Sequence, residues 1–163
     1  MVGAVKPSDK ACSARADRSD TFMLCGVQTM AADGLVTIKS GFGPEQSMKR
    51  LEAEVKAKRL MVFSHLDHAA AAAAVDLRLQ PTDLLIFGNA KSGTPLMQQA
   101  QTIGIDLPLK VLVWQDDSGT TWVSYNDPAY LARRHSVGEP TKTAVTAMTA
   151  ALHAIATKAT TAP

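Results

Sequence analysis

The tetrapeptide Asp116-Asp117-Ser118-Gly119 separates two runs, Leu109 to Trp114 and Thr120 to Tyr125. Both runs are rich in β-branched and aromatic residues, which suit a pleated surface. Asp, Ser and Gly between them supply turn-forming side chains and a residue that tolerates positive φ. The spacing predicts a β-hairpin, and hairpin strands are antiparallel neighbours. The sheet of this chain is therefore antiparallel at least in part, which favours an α+β fold over a doubly wound parallel one.

Elements before the hairpin follow the same logic. Leu35-Val36-Thr37-Ile38-Lys39 alternates and predicts a strand. Gly41 and Gly43 break it, and Pro44 suits a first helical turn. Met48, Leu51 and Val55 recur at helical spacing, so residues 44–58 predict an amphipathic helix. Its cluster Lys49, Arg50, Lys56, Lys58 and Arg59 interleaves with Glu52 and Glu54 and reads as a solvated face.

Leu60 to Phe63 and Leu84 to Phe87 predict short buried strands. Asp67 is placed to cap a helix carried by Ala69 to Ala74. Residues 92–103 predict a helix closed by Gly104, and Asn126-Asp127-Pro128 starts a short one ending near Arg134. Val145, Met148, Leu152 and Ile155 mark a final helix with a narrow apolar stripe. Met48, Met61, Met97 and Met148 read as core residues. Helices are expected on one sheet face, leaving the other to solvent or a partner.

The chain has 163 residues, 46% hydrophobic and 20% charged, which fits one domain with a real core. Residues 1–31 lack periodicity and read as a disordered leader, with the domain over residues 32–159. Met30 is a candidate natural start. Cys12 and Cys25 both fall in the leader and form no CxxC motif. A net charge of +2 and 5% aromatics give no nucleic-acid footprint. No apolar run reaches the length of a membrane span, and a cytoplasmic location is expected.

Chemistry-bearing residues concentrate between Phe63 and Met97. Asp67-His68 stands at a strand-to-helix junction, where an imidazole could ligate a metal or move a proton. The alternative is a capping Asp and a structural His. His65 stands three residues before His68, and no further His or Cys lies at metal-ligand spacing nearby. The stretch Phe87-Gly88-Asn89-Ala90-Lys91-Ser92-Gly93-Thr94-Pro95 is a strand-to-helix loop whose helix start favours anions. It is not a phosphate loop, because its lysine precedes the second glycine and Pro95 removes one N–H. A GxSxG elbow is absent.

In order and spacing, Asp67-His68, Leu84 to Asn89, Gly93-Thr94-Pro95-Leu96-Met97, Asp106 to Lys110 and Tyr125 to Pro128 resemble domain-of-unknown-function family 302, over about residues 33–157. The resemblance implies a TBP-like α+β fold ordered strand, helix, four strands, helix. It also implies a homodimer with sheet faces or edges meeting. The family's characteristic positions fall on Asp67, His68, Phe87, Gly88, Asn89, Gly93, Thr94 and Met97. Ala90 stands where the family usually has Pro, which frees a backbone N–H.

Three functional readings follow. The first is a homodimeric small-molecule binding protein with ligand contacts from Asp67, His68, Phe87, Asn89, Thr94 and Met97. Its walls would include Phe63 and Leu96. Its sharpest form is a haem site with His68 as axial ligand. The second is an enzyme with His68 as general base, oriented by Asp67, and Asn89 polarising a carbonyl. The third is a purely structural or interaction protein.

Overall fold

The computed structural model describes residues 32–162. The expectations for the leader, Cys12, Cys25 and Met30 lie outside the described residues. Five strands, β1 (Leu35–Lys39), β2 (Met61–Asp67), β3 (Thr82–Gly88), β4 (Leu109–Gln115) and β5 (Thr121–Asn126), form one sheet in the order β1-β5-β4-β3-β2. Every neighbouring pair is antiparallel. The helices are α1 (Pro44–Ala57), α2 (His68–Ala73), α3 (Ala90–Gln99), α4 (Pro128–Arg134) and α5 (Lys142–Thr160). The architecture is α+β, as expected.

Alternation decides which sheet face is covered. Leu85 and Phe87, Leu109, Val111 and Val113, and Val123 and Tyr125 point to one side and are buried. Leu51 and Val55 of α1 and Leu152 and Ile155 of α5 pack against them in one core cluster. A smaller cluster joins Leu96, Ile103, Ala132 and Val145 around α3 and α4. Leu107 and Met148 touch both clusters.

The hairpin forms as predicted. Asp116 N–H donates to the Thr120 carbonyl at 2.9 Å, and Gly119 takes φ +79°. The Asp116 carboxylate accepts from the Ser118 hydroxyl at 2.6 Å and the Trp122 indole at 2.7 Å. The N–H groups of Ser118 and Thr120 donate to it as well. These bonds, the Ser118 hydroxyl foremost and the Trp122 indole next, hold its pKa down from 3.8 to about 2. A depressed carboxylate stabilises the fold above its unfolded pKa, and that contribution disappears as pH falls from about 4 through about 2. Asp116→Asn is therefore expected to flatten this part of the acid-unfolding curve, read from urea midpoints against pH. Parallel curves for variant and wild type would remove the assignment.

The opposite sheet face is only half-buried. It carries Leu84, Leu112 and the stacked pair Trp114 and Trp122, whose ring centroids lie 6.2 Å apart. Trp114 donates its indole N–H to the Ser124 hydroxyl at 2.9 Å, which satisfies the polar end of an otherwise apolar ring.

Several local expectations are corrected. β2 runs to Asp67 rather than ending at Phe63, because it pairs with β3 along its whole length across one irregularity between Val62 and Ser64. The helix expected over 92–103 starts at Ala90, and residues Gln101–Ile105 form a separate 3₁₀ turn. Gly104 lies inside that turn rather than closing α3. Met61 is 63% exposed and not a core residue, because it lies on an edge strand. Arg50 is not merely solvated. Its guanidinium donates to the carbonyls of Lys158, Ala159 and Thr161 at the end of α5 and lies over the Phe42 ring. These contacts satisfy carbonyls that a helix end leaves unpaired.

Candidate functional site

A cleft of about 450 Å³ opens between α3 and α5 at the end of β3. It lies where the two core clusters meet without merging. On one side stand Phe63, Phe87, Met97 and Leu107, and on the other Met148, Leu152 and Ile155 of α5. Ala144, Ala147 and Ala151 also line it, at spacings of three and four on α5. Residues at those spacings share one helix face. Alanine there leaves open the space that larger side chains would fill.

Asn89, Ser92 and Thr94 bring polar groups to the cleft. Asn89 caps α3, its side-chain oxygen accepting the Lys91 N–H at 2.9 Å. The cap explains why a strand ending in Gly88 turns abruptly into a helix. It also commits the oxygen end of the Asn89 amide. Pro95 lies inside α3 and lacks the N–H of that turn.

Four of the six expected ligand-binding residues therefore meet: Phe87, Asn89, Thr94 and Met97. Asp67 and His68 do not join them. Met61 pairs with Gly88, whereas Asp67 pairs with Asp83. An antiparallel register places the end of β2 beside the start of β3, so six residues of strand, roughly 20 Å, separate His68 from Asn89. The expectation that His68 and Asn89 face one pocket is corrected on this ground. Leu96, expected as a wall, is buried in the smaller cluster beneath α3.

Asp67 is occupied as the cap of α2, accepting the Ala70 N–H at 2.7 Å. It makes no hydrogen bond to the His68 ring, and His68 is exposed. A general-base arrangement of Asp67, His68 and Asn89 does not assemble within this chain. Haem ligation by His68 fits no better, since His68 lies outside the cleft.

Two other histidines meet carboxylates: His135, whose Nε2 lies 2.7 Å from Asp106 Oδ2, and His65. The His65 Nε2 lies 2.9 Å from Asp83 Oδ1, and its Nδ1 3.9 Å from Glu52 Oε1. His65, Glu52, Asp83 and Asp67 border a shallow open groove beside α1. Among the described residues no group of three His, Cys, Asp or Glu is arranged to hold a metal ion. Residues the sequence did not single out for the site are Leu107 and the α5 face from Ala144 to Ala151. The signal for the α5 face was the spacing of alanines beside the Val145–Met148–Leu152 stripe.

The family described as Domain of unknown function DUF302 matches residues 36–155. The chain belongs to this family. As a DUF302 protein it is 46% identical over 115 residues to "Fluoride-specific ion channel FluC 1" of Brucella suis biovar 1, covering 71% of this chain and 45% of that relative. The FluC 1 protein of Brucella abortus biovar 1 matches at the same identity, with 43% of its length covered. The chain thus spans less than half the length of the curated relatives it matches. A solved structure, an uncharacterised conserved DUF302 protein of Bacillus stearothermophilus, superposes with a TM-score of 0.69 at 21% identity. That match covers 78% of this chain and 99% of the other. The fold is accordingly the DUF302 fold. Among the described residues no helix is long and apolar enough to cross a membrane.

Proposed function

We propose that this DUF302 domain is a small-molecule binding unit whose ligand occupies the cleft between α3 and α5. The observation that carries this reading is the cleft itself. Apolar walls with a few polar groups converging on them are the usual form of a small-molecule site, and a volume of about 450 Å³ suits one. Catalysis is no part of the reading, because no base and nucleophile converge there. An environment-sensitive dye, 1-N-phenylnaphthylamine, is expected to gain fluorescence on the wild-type protein. Ala151→Phe, which places a ring in the cleft, is expected to weaken that binding at least tenfold with the folded spectrum retained. Ala147→Phe serves as a second filling variant. Equal dye binding by both variants and wild type would discard the cleft as the site.

A second reading concerns assembly. Among the described residues, six of the seven large apolar side chains left exposed fall between Met61 and Leu79. Three lie on β2, an edge strand with unpaired backbone groups, and Val75, Leu77 and Leu79 follow α2. Apolar exposure concentrated at one sheet edge favours an interface. We infer a homodimer meeting along this edge. Light scattering during size-exclusion chromatography is expected to give twice the chain mass, and Leu77→Lys with Leu79→Lys to give a monomer. A wild-type monomer at high micromolar concentration would end this reading.

We place the domain in the cytoplasm. In the relatives named fluoride-specific ion channels, a unit of this kind accompanies further sequence of comparable length. An accessory binding role beside another module is consistent with that arrangement. Ion conduction is not assigned to this chain.

A further inference from the structure

We infer that the cleft selects an uncharged, elongated apolar molecule with one hydrogen-bonding end group, and discriminates against ions of the same length. The inference deepens the binding reading above and rests on it.

Charge decides the first part. The residues lining the cleft include no Asp, Glu, Lys, Arg or His. A carboxylate or ammonium drawn between Phe87, Leu107 and Met148 would lose its water and gain no counter-charge, which is strongly unfavourable. Lys91 is exposed and does not line the cleft.

Placement of the polar groups decides the second part. Asn89 caps α3, and Ser92 and Thr94 lie within its first five residues. The rest of the lining offers apolar side chains. The Asn89 NH₂ can donate to an uncharged oxygen, and the hydroxyls of Ser92 and Thr94 can donate or accept. A ligand with one neutral polar end therefore finds partners at one end of the cleft and only apolar surface beyond it.

Shape decides the third. Ala144, Ala147 and Ala151 extend the open face of α5 over seven residues, on the order of 10 Å of helix. Met97 and Met148 flank the cleft with unbranched side chains that adjust to a flexible chain. Each methylene added to a ligand within that length is expected to tighten binding roughly three- to fourfold.

The test is displacement of 1-N-phenylnaphthylamine from the full chain at neutral pH by n-decanol, decanoate and decyltrimethylammonium, all below micellar concentrations. Decanol is expected to displace the dye at a concentration at least tenfold lower than either ion. Octanol is expected to be roughly tenfold weaker than decanol. Decanoate equal to or tighter than decanol would overturn the inference in favour of an anion held at the start of α3. Equal displacement by all three would overturn it as well, leaving a cleft without head-group preference. In both outcomes dye binding that Ala151→Phe removes would leave the binding reading standing. Dye that fails to bind wild type, or binds Ala151→Phe equally, would overturn the binding reading and this inference together.

Discussion

Phe87→Ala is expected to lower stability by about 3–5 kcal/mol. Phe87 is fully buried, joins β3 to the main core and also borders the cleft. Removing its ring deletes apolar burial and adds empty volume where a cleft already weakens the packing. Natural domains are stable by about 5–15 kcal/mol, so the loss is a large share of the total. The check is the urea midpoint at unchanged m-value, which separates lost stability from a changed unfolded state. A shift of less than about 1 kcal/mol would mean that the surrounding core collapses around the gap, contrary to what Phe→Ala substitutions in cores usually do. Dye binding should weaken along with stability, because the same ring forms a wall of the cleft.

Gly34→Ala is the second large effect. Gly34 opens β1 with φ +77°, a conformation that L side chains rarely adopt. A Cβ there would also enter the Tyr130 ring of α4. Strain and overpacking together are expected to cost about 2–4 kcal/mol, or roughly 5–15 °C in Tm. Gly119→Ala is the control. It has the same sign of φ, at +79°, but nothing within 4 Å of the added carbon. Its cost should be the backbone part alone, about 1 kcal/mol. Equal effects at the two positions would show that contact with Tyr130 contributes nothing.

Particular residues show how far the sequence reached. Alternation in Leu109 to Trp114 and Thr120 to Tyr125, with Asp116 to Gly119 between them, was enough for the β4–β5 hairpin. Helical spacing of Met48, Leu51 and Val55 was enough for α1. These signals are local, since a turn or an amphipathic face is written within a few successive residues. Asp67 as a cap was legible for the same reason. Boundaries were less so. β2 extends to Asp67 because β3 supplies its hydrogen-bond partners, a fact that lies some twenty residues away in the chain.

The site divides in the same way. Phe87, Asn89, Thr94 and Met97 lie within ten residues, and a strand-to-helix turn keeps them close whatever the rest of the fold does. His68 was grouped with them by nearness in sequence, and register separated it. The α5 face from Ala144 to Ala151 reaches the cleft only because the last helix returns across the sheet. By itself, then, the sequence determined the elements, the antiparallel character of the sheet and the α3 side of the cleft, because each depends on short-range periodicity and turn chemistry. Only the tertiary structure decided that β2 is an exposed edge, that His68 and Asn89 lie at opposite ends of the β2–β3 ladder, and that alanines on α5 form the far wall. Those facts depend on strand order and register, which contacts between distant residues set.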